Sequence, residues 1–242
     1  REVPKLVTFG CSWTAGVGAF YDREVEQTEF QERRDEYDNA FRHVLCKRHG
    51  FTHENFAQGG SSNARQFRLA TEHFNKPIKE ETIVLWGITT TARGEFYSNK
   101  KDKPVSVQYN SNRPKLYPDL TRLMREEYYN EDYEVDILNN LMIHWNKFFE
   151  SIGVKNYWFD TFNHHDYKQD IKNLCWKNDK PRDLLSKLTD VSHDTYHFSN
   201  WRNDCGRTRK GCSLGLLNPF TYHPTKRGHE MIADMFTRHF FL

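Results

Sequence analysis

Two short segments near opposite ends of this 242-residue chain carry side chains suited to acyl chemistry. Val7-Thr8-Phe9-Gly10-Cys11-Ser12 is an apolar run that breaks into small residues, the pattern of a buried strand ending at a turn. Tyr222-His223-Pro224-Thr225 places an imidazole immediately before a helix. A serine hydroxyl is a weak nucleophile until a base takes its proton, and histidine titrates where that task needs it. A serine just past a strand also lies at the carboxyl edge of a sheet, where open α/β folds bind their ligands. The two groups can cooperate only if the fold joins the ends of the chain.

The elements that must do so alternate. Lys5–Phe9, Phe51–Phe56, Thr82–Trp86 and Val154–Phe159 read as strands. Tyr37–His49, Ala64–Phe74, Ile137–Ile152 and Thr225–Phe240 carry apolar residues at helical spacing. Strands separated by helices predict a central parallel sheet with helices on both faces. One domain over residues 1–242 fits the length. Phe20–Glu36 and Gly94–Glu134 break the rhythm and read as solvated loop or irregular helix. The sharper reading of both is a lid or partner surface over the sheet edge, the second being a long polar insertion.

Composition narrows the function classes. Lys+Arg 35 against Asp+Glu 33 gives a net charge of +2, too balanced to point to nucleic acid. Aromatic residues make up 15% of the chain, which sets it apart from disordered sequences and suits a packed core. Five cysteines (Cys11, Cys46, Cys175, Cys205, Cys212) at irregular spacing argue against a disulfide framework. No apolar run approaches the ~20 residues of a membrane span, and no signal peptide is visible, so a cytoplasmic location is expected. His193, His197, Cys205 and Cys212 match no zinc-finger spacing, and neither a metal nor a cofactor is expected.

Three further segments fall at strand ends. Gly59-Gly60-Ser61-Ser62-Asn63 opens a helix but lacks the lysine of a phosphate-binding loop. Trp86-Gly87-Ile88-Thr89-Thr90-Thr91-Ala92-Arg93 runs from a strand into three hydroxyls and an arginine. It reads either as a strand end with a threonine-capped helix start or as a site where Arg93 clamps a carboxylate, sulfate or phosphate. His164, His165 and Asp166 follow the fourth strand. Arg93, Asn63 and His164 are the candidate substrate contacts.

In order and context these segments resemble the SGNH (GDSL-type) hydrolases, a flavodoxin-like α/β/α family of esterases, lipases and carbohydrate deacetylases. The residues that carry the resemblance are Gly10-Cys11-Ser12, Gly60 following Asn55, Gly87-Ile88-Thr89-Thr90, and His223-Pro224-Thr225-Lys226-Arg227-Gly228-His229. The Gly-Cys-Ser variant is similar to degenerate forms in bacterial and bacteriophage proteins. The resemblance implies that Ser12 attacks an acyl carbonyl and His223 takes its proton. It also implies an oxyanion hole built from the backbone N–H groups of Ser12 and Gly60 and, in place of the family's asparagine, the Thr89 hydroxyl. A small acyl ester or an acylated carbohydrate would be the substrate.

Two departures matter. Cys11 replaces the aspartate of Gly-Asp-Ser, and Phe220 stands where the family carries the aspartate that orients its histidine. A carboxylate from elsewhere could substitute, with Asp160, Asp166 and Asp194 the candidate acids, or a Ser-His dyad could suffice. The competing expectation is a binding or structural module in which the fold survives without the chemistry.

Overall fold

The chain runs β1 (Lys5–Phe9), α1 (Ser12–Ala15), α2 (Phe41–His49), β2 (Thr52–Asn55), α3 (Asn63–Phe74) and β3 (Thr82–Ile88). It continues through β4 (Arg93–Ser98), β5 (Lys103–Gln108), α4 (Pro118–Leu123), α5 (Glu131–Ser151), β6 (Lys155–Asp160) and α6 (Lys226–Phe240). These elements come from a computed structural model that describes residues 3–19, 39–110, 117–161, 165–175 and 223–240.

Four strands form a parallel sheet in the order β2-β1-β3-β6. The order reverses direction at β1, which has β2 on one side and β3 on the other. This is the flavodoxin-like arrangement, and it puts a crevice at the carboxyl ends of β1 and β3. Register makes those ends level: Thr8 pairs with Asn55, Phe9 with Trp86, and Ile88 with Asp160. Every residue that follows these strands therefore reaches the same rim.

Side-chain alternation along the strands builds the three layers. Val7, Phe9, Val84, Trp86 and Trp158 pack beneath α3 and α5, while Leu6, Leu85 and Phe159 pack beneath α2 and α6. β3 is buried along its whole length, as expected for a central strand of a sheet covered on both faces. Much of the aromatic content is spent here. The Trp86 ring lies 4.7 Å from Phe9, 4.8 Å from Trp158 and 5.0 Å from Phe67, and each such pair contributes roughly 0.5–1.5 kcal/mol beyond its buried area.

The sheet's flanks differ. Edge strand β2 is four residues of polar sequence, Thr52-His53-Glu54-Asn55. On the other flank the segment after β6 folds back, with Trp158 N–H donating to the Asn173 carbonyl at 3.0 Å and Cys175 N–H to the Trp158 carbonyl at 2.8 Å. Two buried asparagines of α5 hold that segment down. Asn139 bonds the backbone of Asp166 and Lys168, and Asn146 bonds the Lys172 N–H.

Three boundaries differ from expectation for local reasons. α5 starts six residues before its apolar stripe, because the Asn130 side chain caps it by accepting from Tyr133 N–H at 2.9 Å and three acids occupy its first turn. The Gly94–Glu134 stretch is neither loop nor irregular helix throughout. Residues 93–108 form the antiparallel hairpin β4–β5, and α4 continues as a π-helical turn over Met124–Tyr128. The hairpin is pinned to α3 by a fork-to-fork pair, Arg68 Nε and Nη2 to the two Glu95 oxygens at 2.8 and 2.9 Å. The threonine run after β3 enters β4 rather than a helix, and Thr90 Oγ1 accepts from Ala92 N–H in the turn. Phe20–Glu36 lies outside the described residues. Among the described residues no helix is long and apolar enough to cross a membrane.

Candidate active site

Ser12 opens α1, whose first-turn N–H groups have no intrahelical partner, and its side chain is partly exposed at the rim. Its own carbonyl accepts from Gly16 and Val17 N–H, so the chain turns sharply after the helix. Two clamps hold this short element. The buried Arg42 guanidinium of α2 donates to the carbonyls of Thr14 (3.0 Å) and Ala15 (2.6 Å), putting a cation at the helix C-terminus. On the strand side the Gln66 carboxamide of α3 accepts from Gly10 N–H at 2.8 Å and donates to the Gly10 carbonyl at 2.9 Å.

The turn after α1 is where the far end of the chain arrives. Gly18 has φ +92°, and a Cβ there would stand 2.8 Å from the His223 Cβ and 2.7 Å from the Pro224 carbonyl oxygen. Only glycine permits both the conformation and the approach. His223 thus packs against the turn that follows α1, at a residue six positions after Ser12.

Cys11 is fully buried, and its Sγ lies 3.6 Å from Thr161 Oγ1. Thr161 spends its single proton on the Ile88 carbonyl at 2.6 Å, so the thiol is the donor of that pair. A buried sulfur held in such a contact is packing, which leaves Ser12 as the nucleophile candidate of Gly-Cys-Ser.

Two loops carry the residues expected to form an oxyanion hole. Gly59–Ser62 leads into α3, where Ser62 accepts from Arg65 N–H as N-cap. Gly60 is exposed there with φ +72°, and a Cβ placed on neighbouring Gly59 would lie 3.9 Å from that of Ser12. Opposite, Thr89 is fully buried and its backbone is fixed by Asn63, whose Oδ1 accepts from Thr89 N–H at 3.0 Å and whose Nδ2 donates to the Thr89 carbonyl at 2.9 Å. Asn63, expected as a substrate contact, is thereby engaged in positioning Thr89. Arg93 Nη1 donates to Thr89 Oγ1 at 3.2 Å, and a hydroxyl that accepts from a cation is a better donor of its own proton. Burial pushes the Arg93 pKa down.

The expected carboxylates scatter. Asp160 ends β6, the third residue of an alternation in which Trp158 faces α5 and Phe159 faces α6, and it accepts from the Tyr167 hydroxyl at 3.0 Å. Asp166 is exposed. Asp194, Phe220 and His164 lie outside the described residues, as do His193, His197, Cys205 and Cys212. His165 is buried instead beside Thr89, its Nε2 3.4 Å from that carbonyl. No group of three or more metal-binding side chains occurs among the described residues.

Sequence reasoning passed over Gln66 and Arg42, and it gave His229 no role beyond the helix signature. His229 Nδ1 accepts from Phe41 N–H at 3.3 Å, capping α2, whose own N-cap residue Ala40 offers no side-chain acceptor. Burial, reinforced by the Arg42 and His223 charges against a weaker backbone bond with Val17, pushes its pKa down to about 3. A polar residue inside an otherwise apolar helix face is the only sequence signal any of the three leaves.

No protein-family model matches the sequence, and no curated protein matches it. Solved structures do. A member of the lipolytic protein G-D-S-L family from Veillonella parvula DSM 2008 is 11% identical over 99% of each chain, with a TM-score of 0.43. An acetyl xylan esterase, Est2A, from the rumen bacterium Butyrivibrio proteoclasticus is 9% identical over 99% of this chain and 65% of its own, with a TM-score of 0.49. A family two carbohydrate esterase from Clostridium thermocellum, in complex with cellohexaose, is 10% identical over 99% of this chain and 64% of its own, with a TM-score of 0.45. The likeness is one of chain path and says nothing of chemistry.

Proposed function

We propose that this chain is a serine acyl hydrolase acting on small acyl esters, with acylated carbohydrate as the substrate class. The observation that carries the reading is the Gly18 contact, which sets His223 against the turn following the helix that Ser12 opens. Ser12 Oγ attacks the acyl carbonyl while His223 takes its proton. The tetrahedral oxyanion accepts from Ser12 N–H, Gly60 N–H and the Thr89 hydroxyl. His223 then protonates the departing alcohol, and water attacks the acyl-enzyme with His223 again as base. Arg93, beside Thr89, holds an anionic group on the substrate. No carboxylate is required to move a proton in this scheme. A dyad forgoes the orientation an aspartate gives the imidazole, a loss that in a serine-protease triad amounts to about 10⁴ in kcat.

The test is turnover of p-nitrophenyl acetate together with labelling by a fluorophosphonate probe. Wild type labels at Ser12, and Ser12→Ala loses both labelling and turnover. His223→Asn falls roughly 10³-fold or more. Equal rates for wild type and Ser12→Ala remove Ser12 from the mechanism. A wild type that neither turns over nor labels leaves the binding-module reading in its place.

A further inference from the structure

We propose that Gln66 is a positioning residue that sets the spacing between the nucleophile turn and the oxyanion turn, an inference that rests on the hydrolase reading above. Its side chain is fully buried, yet it stands on α3 among residues that face the apolar core. A carboxamide offers one acceptor and two donor hydrogens, and all three are committed here. Oε1 takes the Gly10 N–H, and Nε2 gives to the Gly10 carbonyl and to Ser61 Oγ.

Gly10 is two residues before Ser12, and Ser61 directly follows Gly60. One rigid amide plane therefore touches both loops that the reaction must align. The loops also meet directly: Gln58 N–H donates to the Gly10 carbonyl at 3.2 Å, and Ser61 N–H donates to the Gln58 carbonyl at 3.1 Å. Arg65 Nη1 adds a bond to Ser61 Oγ at 3.3 Å. Gln66 is the side chain in this lattice that reaches the β1 end. Gly10 and Ser61 are thus held at fixed separation by a helix whose own place is set by the core. Catalysis is sensitive to such placement, because an error of about 1 Å in a reacting group can cost on the order of 10²-fold in rate.

Gln66→Leu keeps the volume and removes all three bonds. Gln66→Glu keeps an acceptor for Gly10 N–H and serves if the leucine variant does not fold. Asn146→Leu is the control, since it deletes an equally buried amide bridging α5 to Asn156 and Lys172, away from the rim. Hydrogen exchange read by mass spectrometry is expected to rise together in residues 7–17 and 57–62 of the Gln66 variants, and in neither segment of Asn146→Leu. On p-nitrophenyl acetate, kcat is expected to fall roughly 10- to 100-fold with KM within about twofold, while the control keeps its kcat. Exchange that rises in only one segment, or an unchanged kcat, or the same changes in Asn146→Leu, overturns the proposal. A wild type without turnover defeats the hydrolase reading, and the coupled exchange still decides whether Gln66 ties the two turns.

Discussion

Acid should find this fold through His229. The ring is fully buried, accepts the Phe41 N–H that opens α2, and has the Arg42 guanidinium close enough to oppose a second positive charge. Its pKa falls from the ordinary 6.5 to about 3. Between those values the unfolded chain binds a proton that the folded chain refuses, so stability is fully present above pH 6.5 and drains away as pH falls toward 3. The slope is about 1.4 kcal/mol per pH unit, which amounts to about 2 kcal/mol between about pH 7 and pH 5. His229→Asn retains an acceptor oxygen near the Nδ1 position and cannot titrate. Urea unfolding followed by tryptophan fluorescence at the two pH values would give the wild-type-minus-variant difference. Carboxylates and the histidines other than His223, whose charge bears on His229, contribute alike to both proteins and cancel. A difference that stays constant with pH would refute the buried neutral imidazole and the cap it provides.

Gly18→Ala should slow fluorophosphonate labelling of Ser12 by more than tenfold while the chain stays folded. Its Cβ would displace His223, and a positive φ on a residue with a side chain costs roughly 1–2 kcal/mol. Labelling at the wild-type rate would mean that His223 is not the base. Arg93→Met should raise KM at least tenfold for a p-nitrophenyl ester whose acyl chain ends in a carboxylate, and hardly for p-nitrophenyl acetate. A charge-assisted bond of roughly 1.5–3 kcal/mol underlies that difference. An equal change for both esters would assign Arg93 to Thr89 alone.

What the sequence disclosed follows from which forces leave a periodic trace. Thr82–Trp86 announces β3 because a strand covered on both faces must be continuously apolar, and the run extends to Ile88 only because Gly87 is compatible with Thr14 above it. The hairpin was invisible for the opposite reason. β4 and β5 are mostly half-exposed, and their turn contains no Asn-Gly pair, only Asp102 in the left-handed region. Ser12 and His223 could be picked out by residue type and context. Gln66 could not, because its partner is the backbone of a glycine far away in sequence, and no local pattern encodes a side chain bonded to a peptide group. Arg42 was hidden in the same way, since its ligands are two carbonyls of a four-residue helix.

The sheet's flanks bear on how copies of this chain can meet. An unprotected β-edge is a template on which a neighbour's backbone can pair. Here one side offers four residues bearing a glutamate and a histidine, and the other already has its outermost amide and carbonyl groups at Trp158 taken by Asn173 and Cys175. Among the described residues, then, neither flank of the parallel sheet offers a long apolar edge for a neighbour's strand to extend.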